Sequence, residues 1–283
     1  LSTRAFHRDV HARNIIVDDS ASERPPRFGL IDLGLAVEAE RWQAGGGWRC
    51  RGVGGDSRYW PLSAWLMFEL GEEGLLAEDG SEGALVREYE TRLDVHSFGL
   101  TVLQLLLDLA LPKQQTSGTS AQTGADNPVL SALEALRAEW DSYWDFVVEK
   151  WWQMLRAYAT RGHAEELKDE YAAAGVHDVI EHHFRLLRSS IGRVRGACER
   201  ASLDAGVDRM PALLEALLAM ISSGREVTGP VDWQALTLSG RGDALETSVQ
   251  RKPQSEPDSA STTTSRHSTP SISGRTLRFS GGS

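Results

Sequence analysis

Residues 7–34 read H-R-D-V-H-A-R-N-I-I-V-D-D-S-A-S-E-R-P-P-R-F-G-L-I-D-L-G. Two short apolar runs, Ile15–Val17 and Phe28–Ile31, flank a polar stretch that holds Asp18-Asp19-Ser20 and Pro25-Pro26. Short β-branched runs bounded by Asp, Ser and Pro predict a β-hairpin. A hairpin here brings Asp9, Asn14 and Asp32 to one end of two paired strands. Two carboxylates and an amide oxygen in one place suit phosphate chemistry, because magnesium prefers hard oxygen ligands and takes only one or two protein carboxylates.

His7-Arg8-Asp9 with Asn14 resembles the catalytic loop of the eukaryotic protein kinases, H-R-D-x-x-x-x-N, and Asp32-Leu33-Gly34 resembles their D-F-G motif with Leu for Phe. The resemblance implies catalytic roles for Asp9, Arg8 and His11. Asp9 receives the proton of the attacking hydroxyl, and Arg8 holds a phosphate or acid on the segment that follows. His11 stands where most serine/threonine kinases carry a Lys on the transferred phosphate, and an imidazole is a weaker cation than an ammonium at neutral pH. The resemblance also implies that Asn14, Asp32 and Gly34 bind ATP, with Asn14 and Asp32 on Mg2+, and that His7 supports the loop from beneath. The order Ala12-Arg13-Asn14 is similar to the tyrosine-kinase form of the loop. A second family fits the same residues: aminoglycoside- and choline-type phosphotransferases carry H-x-D-x-H-x-x-N and then I-D, which His7, Asp9, His11, Asn14 and Ile31-Asp32 satisfy.

Leu93-Asp94-Val95-His96-Ser97-Phe98-Gly99 favours the protein kinases. It resembles D-x-W-S-x-G at the head of their central buried helix, with His96 for Trp. The resemblance implies that Asp94 supports the catalytic loop through its backbone amides. The leucine-rich run that follows is apolar nearly all round, which predicts a buried helix.

The fold expected is mainly α: a protein-kinase-like large lobe over residues 1–239, a small hairpin carrying the catalytic motifs, and a disordered Ser/Thr/Pro-rich tail over 240–283. Leu1–Phe6 reads as the end of a preceding helix. Too few residues precede His7 for a small lobe, so a fragment is expected. Residues 35–58 read as a flexible, glycine-rich activation segment, with Ser57 its one hydroxyl before Tyr59, expected to be solvated rather than phosphorylated. Pro61 matches the Pro of the kinase A-P-E, and Leu62 replaces its Glu, so the ion pair of that Glu is lost or replaced. The acidic stretch 66–91 reads as a solvated insertion.

Lys113–Pro128 reads as a polar loop. Leu133, Leu136, Trp140, Trp144, Val147, Trp151, Leu155 and Tyr158 predict the core stripe of a long helix. Further helical patterns cover 164–173, 176–203 and 207–222. His177, Glu181, His182 and His183 read as solvated side chains, since a zinc site wants three or four convergent ligands. Ser268-Thr269-Pro270 is a conceivable proline-directed phosphorylation site.

The formal net charge of −10 argues against nucleic acid or an anionic membrane surface as the main partner. Cys50 and Cys198 are the only cysteines and imply no disulfide framework, so an intracellular, cytoplasmic setting is expected. No membrane span and no signal peptide are expected. The activity expected is ATP-dependent transfer to a Ser/Thr hydroxyl of a protein substrate, less favourably to Tyr. A catalytically silent pseudokinase or scaffold is the reading of another class.

Overall fold

The computed structural model describes residues 4–18, 27–44, 46–80, 83–111, 127–202, 209–221, 231 and 233. The tail, the 113–128 loop apart from its last two residues, and Ser268-Thr269-Pro270 lie outside the described residues.

The hairpin forms as expected. Strands β2 (Ile15–Asp18) and β3 (Arg27–Leu30) pair antiparallel, Ile15 opposite Leu30 and Val17 opposite Phe28. The chain before the loop is strand rather than helix end: β1 (Ala5–Phe6) pairs antiparallel with β4 (Val37–Glu38). Backbone groups of so short a segment find partners in another strand, because a terminal helical turn lacks four of them.

All else described is mainly helical. Helix α1 (Ala39–Gln43) precedes a loop, then α2 (Leu62–Asp79), α3 (Ala84–Thr91) and α4 (Leu93–Ala110) follow. Helices α5 (Pro128–Arg161), α6 (Glu165–Ala173), α7 (Val176–Ser202) and α8 (Met210–Met220) complete the described chain. Helix α4 is central, with Leu100, Leu103 and Leu107 fully buried. Its close approach to α8 needs Gly99, where a Cβ would stand 2.7 Å from Met220 Cβ. Burial is not all round, however: Leu105 and Leu109 near the end are exposed. Among the described helices α4 alone has the length and apolarity to cross a membrane. Its buried face is packed against α8 and the 57–59 turn, as in a core helix.

Helix α5 is set by its ends. The Asn127 side chain accepts from the Val129 and Leu130 amides, Pro128 occupies the first turn, and Gly162 closes the helix in the left-handed conformation. The buried residues are Leu133, Leu136, Trp140, Tyr143, Val147, Met154 and Ala157. The expected stripe is correct through Trp140 and at Val147. Elsewhere Trp144, Trp151 and Leu155 are half-buried, Tyr158 is exposed, and Tyr143 and Met154 hold the core positions.

The acidic stretch 66–91 is not a solvated insertion. Leu75, Leu85 and Tyr89 belong to the core, and two of its carboxylates, Glu69 and Glu88, are buried. Helix α2 kinks at Gly71, whose φ of 70° few other residues adopt. His177 is not solvated either: its Nδ1 lies 2.8 Å from the buried Glu69 Oε2. His182 is exposed as expected, while His183 is half-buried beside Tyr143 and Phe146. Among the described residues no three His, Cys, Asp or Glu side chains form a group able to hold a metal ion.

Candidate functional site

The loop 7–14 is fixed from below by Asp94. One oxygen of that carboxylate accepts the His7 amide at 2.6 Å and the other accepts the Arg8 amide at 2.7 Å. This clamp holds Arg8 at φ 66°, a conformation costing a non-glycine residue on the order of 1 kcal/mol. Burial raises the Asp94 carboxyl, and the two amide bonds only partly offset that rise. The support role implied for Asp94 therefore has a direct geometric counterpart, through backbone atoms that carry no sequence signature.

His7 ties the loop to the hairpin. Its Nε2 lies 2.9 Å from the Ile31 carbonyl oxygen. The Ile31 amide in turn donates to the Asn14 carbonyl at 2.9 Å. Asn14 and the residue before Asp32 are thus directly joined across the base of the hairpin. Asp32 follows in the left-handed conformation, φ 61° and ψ 68°, with Oδ1 accepting the Gly34 amide at 3.3 Å. Asp tolerates this conformation better than most residues because its short polar chain bonds locally. Gly34 contributes its amide to that turn, and both residues are exposed.

Asp9 lies at the centre. Its Oδ2 accepts from Asn14 Nδ2 at 3.2 Å and its Oδ1 from the Asp56 amide at 2.9 Å. His11 Nε2 stands 3.5 Å from Oδ1. Burial alone would raise this carboxyl. The hydrogen bonds from His11, the Asp56 amide and Asn14 outweigh burial and hold it below its ordinary value. His11 is oriented by the Arg13 amide, which donates to Nδ1 at 3.2 Å. It stacks on Tyr59, ring centroids 5.6 Å apart.

Asn14 donates its amide nitrogen to the backbone carbonyl and the carboxylate of Asp9. Among the described residues no donor contacts Asn14 Oδ1, and none contacts Asp32 Oδ2. A magnesium ion, which keeps several waters and asks for few protein ligands, would take hard oxygen donors of this kind.

Arg8 turns into the segment that follows the hairpin. Its Nη2 donates to the Gly52 carbonyl at 2.7 Å, and the guanidinium lies over Trp42, 4.7 Å from the ring centroid. The segment expected to be flexible is instead packed, with Trp42 and Trp48 both 1% exposed. Gly55 lies against the loop, and a Cβ there would stand 2.3 Å from the Arg8 carbonyl oxygen. Ser57, expected to be solvated, is fully buried.

Next to Leu62 the chain is held from another helix. Glu88 Oε2 accepts the Ser63 amide at 2.9 Å in a buried setting. His96, which takes the expected Trp position, is fully buried with its ring 4.8 Å from that of Phe184.

Several residues joined to the site come from the 55–61 segment, whose resemblance to a substrate-facing loop gives none of them an individual role. Asp56 offers its amide to Asp9 and pairs through its carboxylate with Arg58, whose Nε lies 2.8 Å from Oδ1. This pairing raises the Arg58 guanidinium further. Tyr59 is pushed up to about 12 by burial. Its carbonyl accepts from Ser97 Oγ at 2.9 Å, and Tyr143 Oη donates to the Arg58 carbonyl at 2.8 Å. The one usable signal was Gly55-Asp56 directly before Ser57-Arg58-Tyr59-Trp60-Pro61, a turn pair ahead of an aromatic segment. Compared with family models, with curated proteins and with solved structures, the chain matches none.

Proposed function

We propose that this chain carries the catalytic centre of a protein kinase, which transfers the γ-phosphate of ATP to a hydroxyl of a protein substrate. The observation that supports it best is the junction of loop and hairpin. His7 Nε2 on the Ile31 carbonyl and the Ile31 amide on the Asn14 carbonyl bring Asn14 beside Asp32, with Asp9 bonded to Asn14. Phosphoryl transfer asks mainly for positioning and charge compensation. The substrate hydroxyl attacks the γ-phosphorus, its proton passes to an Asp9 oxygen, and ADP leaves. Asp9 is held below its ordinary value, so it is ionised at neutral pH and ready to accept. Magnesium, when bound by Asn14 Oδ1 and the Asp32 carboxylate, compensates phosphate charge. In this reading His11, beside Asp9, would meet the same phosphate.

A scaffold without transfer activity is the second reading. It is favoured by one observation: both Asp9 oxygens already accept protein donors, from Asn14 and the Asp56 amide.

Calorimetry of Mg·ATP binding, beside Asp32→Asn, tests the site. Binding that the variant loses is expected; absence of binding to the parent chain would sink the nucleotide reading. Transfer to a peptide library, set against choline and aminoglycosides, then separates protein kinase from small-molecule phosphotransferase.

A further inference from the structure

A cavity of about 10 Å³ lies between the loop, the segment after it and helices α2, α3 and α4. Arg8, Gly54, Trp60, Ala64, Tyr89 and Ser97 are among its lining residues. Two of these present buried donors with no hydrogen-bond partner, Arg8 Nε and the Tyr89 hydroxyl. Arg8 is 9% exposed and Tyr89 not at all. Their other atoms are well used: Arg8 Nη2 is on the Gly52 carbonyl, and the Tyr89 ring packs against Trp42 and Trp48. A buried donor left unsatisfied costs about 1–3 kcal/mol, and two around one cavity are rare by accident.

The cavity is the size of one water molecule, and a buried water typically makes two to four hydrogen bonds. Acceptors are at hand in the same lining. The Gly54 carbonyl takes one bond from Trp60 Nε1 at 2.9 Å and has a second lone pair. Ser97 Oγ shares its one proton between the carbonyls of Tyr59 and Leu93, both within reach, and has lone pairs left to accept. We propose that the cavity binds one water, which accepts from Arg8 Nε and the Tyr89 hydroxyl and donates to the Gly54 carbonyl and Ser97. The water ties α3 to the catalytic loop and fixes the plane of the Arg8 guanidinium. It is a positioning element and does not depend on the phosphotransfer reading. A halide would meet the same two donors, but it is larger than the space.

Tyr89→Phe decides by sign. If the hydroxyl is hydrated, its removal takes a partner from the water, and the melting temperature falls by roughly 2–4 °C. An unpartnered hydroxyl gives the opposite result, because its removal relieves an unsatisfied group; an unchanged or raised melting temperature overturns the proposal. The comparison is made in chloride and again in acetate. An equal fall in both supports water, and a fall confined to chloride overturns water in favour of the halide. Crystals of the parent chain should show one density peak within about 3.2 Å of both donors; an empty cavity also overturns the proposal.

Discussion

The Asp94 carboxylate accepts the Arg8 amide at 2.7 Å across 86 positions of sequence, and Arg8 there adopts a left-handed backbone. The strain is held by a bond to the residue's own amide, so any side chain at position 8 would feel it. Asp94→Asn keeps one acceptor and replaces the other with a donor that opposes an amide. Hydrogen bonds to charged groups are worth about 1.5–3 kcal/mol. Urea unfolding should register a loss in that range, and phosphotransfer should fall further than stability does. Equal activity in the variant would contradict the clamp.

Gly55→Ala tests the neighbouring approach. The residue has φ 86°, and the added Cβ would meet the Arg8 carbonyl oxygen at 2.3 Å. A left-handed non-glycine residue alone costs on the order of 1–3 kcal/mol, and this one also meets immovable backbone. Destabilisation of at least about 2 kcal/mol is expected. A variant as stable as the parent would mean that the segment packs differently.

His96 makes acid stability measurable. Burial, with Arg92 and Arg188 nearby, lowers its imidazole to about 3 from 6.5. Below pH 6.5 the unfolded chain binds a proton that the folded chain refuses, so stability is lost as pH falls from 6.5 towards 3. The full effect is on the order of 5 kcal/mol. His96→Leu should flatten the dependence of the melting temperature on pH in this window. The same slope in parent and variant would rule His96 out as its source.

His11→Lys asks what charge the centre needs. A lysine next to Asp9 restores a permanent cation at the transferred phosphate. Turnover at pH 7–8 should rise several-fold, while the Arg13 amide loses its acceptor at a cost of about 0.5–1 kcal/mol. Lower turnover with intact Mg·ATP binding would show that the imidazole itself is needed.

Ser57 carries a prediction about control. Its side chain is fully buried and Arg8 is already engaged by the Gly52 carbonyl and Trp42. Phosphatase treatment and Ser57→Ala should therefore leave transfer within about twofold, and Ser57→Asp should destabilise by burying a charge. Activity that disappears on phosphatase treatment would place a phosphate in this segment.

The hairpin, the loop and α4 were legible because each carries a local signal: short β-branched runs, a polar octet, an apolar helix after Asp94. Asp94 was legible as a support, although its partners are backbone amides that look alike at every position. The partner of Arg8 was not legible for that reason, since a carbonyl such as that of Gly52 has no identity in the sequence. The packing of the glycine-rich segment was missed because Trp42 and Trp48 meet Tyr89, which the acidic stretch around it made look solvated. Glu69 and His177 lie 108 positions apart, and only the kink at Gly71 and the approach of α6 and α7 to α2 bring them together. The core stripe of α5 moved by one residue because the half-buried Trp144 and Trp151 lie against Arg58 rather than in the interior.

The contact at Gly99 also sets a clock. The loop 7–14 is written long before the helices beneath it, yet the helix that clamps it rests on α8 through Met220 and Ile221. Arg92, at the head of that helix, also bonds the Ala219 carbonyl. During synthesis at about 5–20 residues per second, the loop waits roughly 10–40 seconds for its foundation to be made. Until then His7, Arg8 and Asp9 belong to an unfinished chain, and the loop gains its bonded geometry only after the last of these helices has left the ribosome.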